Sequence, residues 1–75
     1  MTDQVVRLIY PAELLSVPVI NQLIRKFDVT LNILKAQIDT ENRWLEVQIN
    51  GDPFVISEAI TWLQEQGIHI QTPEN

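Results

Sequence analysis

The stretch "DVTLNILKAQIDT" (residues 28–40) decides how this chain folds. Its second half alternates, with Leu34, Ala36 and Ile38 on one side and Lys35, Gln37 and Asp39 on the other. A two-residue period is the mark of a half-buried β-strand. The first half alternates in the opposite phase: Val29, Leu31 and Ile33 are apolar, and Asn32 stands between them. A strand with one wet face has no reason to be apolar on both. Either a β-bulge turns both halves to the same side, or another molecule covers the second apolar face. The covered face is the expectation adopted here.

Working outward, "DTENR" (39–43) reads as a turn, and "RWLEVQIN" (43–50) alternates Leu45, Val47 and Ile49 against Trp44, Glu46 and Gln48. A turn centred on residues 40–43 sets Asp39 opposite Trp44. Ile38 then faces Leu45, Ala36 faces Val47 and Leu34 faces Ile49. A one-residue slip would set Leu45 opposite Gln37, so it is disfavoured. This register sends Val29, Leu31 and Ile33 to the side shared by Trp44, Val5 and Ile9.

Before the stretch, "QVVRLIY" (4–10) is rich in β-branched and aromatic residues and stops at Pro11, which marks a strand. Val6, Leu8 and Tyr10 share one face of it, and Val5 and Ile9 flank Arg7 on the other. After a connection, Ser16 or Val17 caps a helix with Pro18 in its first turn. Ile20, Leu23, Ile24 and Phe27 follow at helical spacing and form its buried stripe. Further on, Asp52 is a good N-cap and Pro53 a good first helical residue. Ile56, Ala59, Ile60 and Leu63 make the apolar stripe of this second helix, and Gly67 ends it. "IHIQ" (68–71) reads as a last short strand with Ile68 and Ile70 inward; "TPEN" (72–75) is a polar tail.

The order β-α-β-β-α-β points to an α+β, ferredoxin-like arrangement, with four antiparallel strands and both helices on one face. Right-handed crossovers favour the spatial order 4-1-3-2. The second strand is then an edge that overhangs the third near Leu31 to Ile33. Edge strands are normally shortened, charged or broken to prevent pairing with other chains. A long, apolar one predicts a symmetric dimer, with Val29, Leu31, Ile33 and Trp44 in the interface. Each such side chain, fully covered, would stabilise the assembly by roughly 1.5–3 kcal/mol.

Seventy-five residues make one domain, 1–75, with an ordered core over about 4–72. No cysteine is present, so neither a disulfide framework nor a thiolate metal site is expected. No leader-like or membrane-spanning run stands out, which predicts a cytoplasmic protein with no direct membrane insertion. Ten acidic and five basic residues give a net charge of −5, and the basic residues are scattered. Nucleic-acid binding, which draws on clustered Lys and Arg, is therefore not expected.

Little in the chain suggests catalysis. His69 alternates outward from Ile68 and Ile70, as an ordinary surface side chain would. Asp39, Glu41 and Glu65 have no spacing that pairs carboxylates for acid–base work, and Trp62 borders the helical core. An acylphosphatase-like hydrolase needs an anion cradle after the first strand, and "PAELLSVP" (11–18) has no Arg, Lys or Gly. An RRM-type sheet needs paired aromatics and positive charge; Tyr10 and Trp44 do not supply that pattern. No enzymatic activity, metal or cofactor is expected.

"FDVTLNILKAQID" (27–39) and "AITWLQEQGIHI" (59–70), together with the element order, resemble the NIL domain family. Its triplet stands here as Asn32-Ile33-Leu34, and the likeness runs from Val5 to about Gln71. The resemblance implies a small ferredoxin-like module of the kind found at the C-terminal end of methionine-importer ABC ATPases, beside ferredoxin-type iron–sulfur domains, or free-standing. In the importer setting, two such domains pair, methionine binds at or near their interface, and occupancy holds the transporter inactive. The triplet asparagine belongs to that site, so the resemblance implies a ligand role for Asn32. An amide offers two donors and an acceptor, which suits both charged ends of an amino acid. Leu31, Ile33 and Leu34 would wall a thioether side chain. The chain departs from the importer setting in lacking a G-x-x-x-x-G-K-S/T phosphate loop, so any regulated partner is expected to be another polypeptide. Its turn "DTENRW" (39–44) also lacks the glycine common in the family. Two functions follow. One is a homodimeric amino-acid sensor; the other is a ligand-free module whose edge docks on an ABC ATPase or a ferredoxin-type protein.

Overall fold

The structure, a computed structural model, describes residues 2–73; Glu74 and Asn75, which end the polar tail, lie outside the described residues. The elements are β1 (Thr2–Ile9), α1 (Val19–Lys26), β2 (Val29–Ile38), β3 (Arg43–Gly51), α2 (Pro53–Glu65) and β4 (His69–Gln71). A 3-10 turn, Ala12–Leu14, links β1 to α1. The strands form one antiparallel sheet in the order β2-β3-β1-β4, the expected ferredoxin-like order read from the other edge.

Alternation on the central strands positions the core. Val6 and Leu8 of β1 and Val47 and Ile49 of β3 are fully buried, and they meet Val19 and Leu23 of α1 and Ile56, Ala59 and Leu63 of α2. Tyr10 closes the same cluster, and its burial raises the phenol pKa above its ordinary value. Beyond the strands, Tyr10 N–H donates to Arg43 O at 2.7 Å, and Arg43 Nε returns a bond to Tyr10 O at 3.2 Å. This strap ties the end of β1 to the start of β3.

The second helix forms where its end signals stand. Asp52 is the N-cap, its carboxylate accepting Phe54 N–H at 2.8 Å, and Pro53 opens the helix. At the other end Ile68 N–H reaches back to Leu63 O and Gly67 N–H to Gln64 O, both at 3.0 Å. That pair of bonds requires a left-handed residue, and Gly67 supplies it at φ 104°.

The first helix differs from expectation in its start and its rotation. Pro18 occupies the N-cap itself, outside the first turn, and no side chain caps the helix, so neither Ser16 nor Val17 does so. Val19 and Leu23 are buried, Ile20 and Phe27 are half-buried, and Ile24 is 47% exposed. With only eight residues over the sheet, one narrow stripe is covered, and Val19 takes the place expected for Ile24.

The stretch 28–40 departs furthest from expectation. Val29 pairs with Gly51, Leu31 with Ile49 and Ile33 with Val47; beyond a shift, Ala36 pairs with Leu45 and Ile38 with Arg43. Leu34 is the extra residue of a β-bulge. Directly opposed residues share a face, so Val29, Leu31, Ile33, Ala36 and Ile38 all lie on the side of the helices. The strand is apolar in two phases because it changes phase at Leu34. It does not overhang β3 either, since pairing begins at Val29.

The turn explains the register. Asp39 N–H donates to Asn42 O at 2.7 Å, and the Asp39 carboxylate accepts the N–H groups of Glu41 and Asn42. The loop is therefore residues 39–42, which brings Ile38 against Arg43 where Leu45 was expected.

Candidate functional site

The site suggested by the sequence centres on β2, a ten-residue strand at the end of the sheet with no neighbour on its outer side among the described residues. Its two faces differ in chemistry. On the helix-free side, Thr30 and Asn32 stand opposite Asn50 and Gln48, and Asp3 of β1 stands opposite Asn50 from the other flank. These residues line a shallow recess of about 250 Å³, which Leu31 also borders. Asn50 Nδ2 donates to Asp3 Oδ1. Among the described residues, the side chains of Asn32 and Gln48 make no hydrogen bond.

The residues expected at the ligand site and the interface do not share one surface. Asn32 is exposed on the helix-free side, whereas Leu31 and Ile33 belong to the helix side and Leu34 sits at the bulge. Val29 is 7% exposed and Leu31 half-buried against the core, so neither can be the open dimer surface first expected. Trp44 does lie on the helix-free side, away from Val29, Leu31 and Ile33. The expected grouping of these four residues fails because the bulge reverses the first half of the strand.

An apolar margin persists nonetheless. Ile33, Leu34 and Ile38 of β2 are 55%, 46% and 54% exposed, and Ile24 of α1 is also open. Leu15 and Val17 join Ile38 in lining a groove of about 220 Å³ at the start of α1. Short α1 leaves the outer rim of β2 uncovered on the helix side, so the strand's apolar residues extend past the core.

Other candidates are accounted for locally. The Arg7 guanidinium lies 4.1 Å from the centroid of the Trp44 ring and pairs with Glu46 at 3.2 Å. Trp44 is thus half-buried within its own sheet face, under a cation from β1. Trp62 packs edge-on against Phe27 at 6.1 Å between centroids. His69 is exposed on β4, opposite Ile9. Asp39 and Glu41 belong to the hairpin turn, where the backbone N–H groups of Glu41 and Asn42 hold the Asp39 carboxyl below its ordinary pKa. Among the described residues, no three His, Asp or Glu side chains converge as metal ligands, and no helix is long and apolar enough to cross a membrane.

The residues missed by sequence reasoning are Asp3, Thr30, Gln48 and Asn50. They come from three strands and meet only through the register. The polar run "TDQ" (2–4) and the alternating Gln48 and Asn50 carried the signal, and pairing β1 to β3 would have joined them.

Comparison with known proteins places this geometry in context. The family model described as the NIL domain matches residues 4–72. Methionine import ATP-binding protein MetN 1 of Paraburkholderia xenovorans is 30% identical over 74 residues, covering 93% of this chain and 22% of that protein. Methionine import ATP-binding protein MetN of Helicobacter hepaticus is 32% identical over 71 residues, covering 89% of this chain and 20% of its own length. The chain thus spans about a fifth of the curated relatives it matches. A crystal structure of the C-terminal domain of an ABC transporter/ATP-binding protein from Enterococcus faecalis superposes with a TM-score of 0.82 at 22% identity, covering 96% of this chain and 84% of that one.

Proposed function

We propose that this chain, which belongs to the NIL domain family, is a small regulatory domain that binds methionine or a related amino acid and modulates a partner such as an ABC transporter ATPase. The reading sets it in the cytoplasm, as a homodimer completed along β2, with no catalytic step of its own. The observation that carries it is the position of Asn32: exposed on the outermost strand, in a polar recess, one residue from the apolar margin. An amide there can both donate to a carboxylate and accept from an ammonium. A second copy laid along β2 would bring another Asn32 and another Ile33–Leu34 rim to the same seam, as a two-fold interface requires. The relatives named as methionine import ATP-binding proteins supply the choice of ligand and of partner class.

A second reading draws on the same margin. Exposed Ile33, Leu34 and Ile38 beside an unpaired strand edge would also suit a ligand-free module that docks on an ABC ATPase or a ferredoxin-type iron–sulfur protein.

Calorimetry with L-methionine, using Asn32→Ala as the control, separates the two. The sensor reading expects heat with the wild type and at least a ten-fold loss in the variant, the scale of one lost charge-assisted hydrogen bond of about 1.5–3 kcal/mol. Absence of heat with the wild type removes the sensor and leaves the docking module. A solution mass of one 8.7 kDa chain at tens of micromolar would remove the homodimer.

A further inference from the structure

We infer that Asp3 is the ammonium anchor of the Asn32 recess, which makes it a site selective for primary amines and α-amino acids over simple carboxylates. The inference rests on the sensor reading given above and adds a residue and a charge preference to it. Asp3 lies on β1, separated from Asn32 on β2 by the whole width of β3, and nothing in their spacing along the chain links them.

Three observations converge. Of the six residues lining the recess, Asp3 alone carries a charge; the others offer amides, a hydroxyl and an apolar side chain. Among the described residues that charge has no ion-pair partner: the ion pair joins Arg7 to Glu46, and Asp3 is bonded to the neutral Asn50 amide. The Asn50 bond engages one carboxylate oxygen and orients the group while the second oxygen stays available. A fixed carboxylate with an open oxygen, beside neutral donors, favours a cation over an anion.

The distances fit a zwitterion. The register places Asp3 level with Thr30 across Asn50, and Asn32 one two-residue step along. Two strand spacings and that step set the Asp3 and Asn32 Cα atoms about 12 Å apart. The Asn50 bond draws the Asp3 carboxylate toward β3, which leaves a gap of about 10 Å between the two polar ends. An ammonium and a carboxylate on one carbon, with a hydrogen bond at either end, span about the same length. Asp3 would take the ammonium and Asn32, with Gln48 beneath, the carboxylate.

The test uses calorimetry on the full chain with three probes: L-methionine, 3-(methylthio)propylamine and 4-(methylthio)butanoate. In the wild type the amine is expected to bind about ten-fold more tightly than the acid, because only the amine meets the Asp3 charge. This ranking needs no variant. Asp3→Asn is expected to weaken methionine and the amine by about ten-fold and leave the acid unchanged. Equal loss for all three probes, or methionine binding retained in Asp3→Asn, would overturn the assignment while leaving the sensor reading intact. Wild type that binds none of the three would remove both.

Discussion

The Asp39 carboxylate accepts the backbone N–H of Asn42 at 2.7 Å, closing the β2–β3 turn without a glycine. The same oxygen takes Glu41 N–H at 2.8 Å, and these two bonds lead the causes that depress the carboxyl's pKa, with the Gln37 and Asn42 side chains adding to them. A carboxyl whose pKa is lower in the folded state stabilises the fold above its unfolded pKa, and that contribution disappears as pH falls through the folded value. Asp39→Ala should therefore lower the melting temperature at pH 7, and the difference between variant and wild type should shrink as pH drops below about 4. Melts over that range check the sign; a difference that grows with acid would contradict it.

Adjacent residues on α1 should respond in opposite ways. Leu23 is fully buried, whereas Ile24 is half open. Leu23→Ala should cost about 2–5 kcal/mol in a urea titration, while Ile24→Ala should stay within about 0.5 kcal/mol. Comparable losses at both sites would mean the helix is rotated from the position described.

Gly67 allows the chain to leave α2. Its φ of 104° is a conformation that side-chain-bearing residues rarely adopt, so Gly67→Ala should destabilise by about 1 kcal/mol or more. Gly51 is required for another reason: it is buried, and a Cβ there would meet Val29 Cγ1 at 3.2 Å and Asp28 O at 3.3 Å.

On the helix-free face, Arg7 acts through its planar guanidinium, stacked over Trp44 while paired with Glu46. Both contacts are partly solvated, so Arg7→Met should cost about 1 kcal/mol. Arg7→Lys should recover only part of it, since an ammonium cannot stack as a plane. Full recovery with Lys would assign the effect to charge alone.

Ile33 offers a way to separate folding from association. It is 55% exposed and lies on the rim of β2, so Ile33→Glu should change the monomer's stability by less than about 1 kcal/mol. The same charge, repeated across a two-fold seam, should shift sedimentation toward the single chain. An unchanged mass distribution would place any self-association elsewhere.

Much of this architecture could be read from residue order. Asp52-Pro53 and Gly67 bracket α2 because capping and left-handed geometry are local demands, met by particular residue types. The alternation of β3 was equally plain, since Leu45, Val47 and Ile49 can face only one core. The phase of β2 was harder to read. Val29, Leu31 and Ile33 form one consistent face and Ala36 and Ile38 another, and local pattern cannot choose between a bulge and a second covered surface. Tertiary pairing, set by the Asp39 turn, makes that choice. The rotation of α1 escaped for a similar reason, because Val19 and Ile24 compete for one short stripe. Asn32 was legible as a residue, but its neighbours Asp3, Gln48 and Asn50 become neighbours only when three strands align.

The irregularity at Leu34 also interrupts the template that cross-β stacking would need. Fibril growth needs an incoming chain to find a flat, continuous template of about six or seven residues. Val29–Ile33 and Lys35–Ile38 are each shorter than that, and the kink and added twist of a bulge separate them. The rim therefore offers no long, flat edge for the indefinite addition of identical strands.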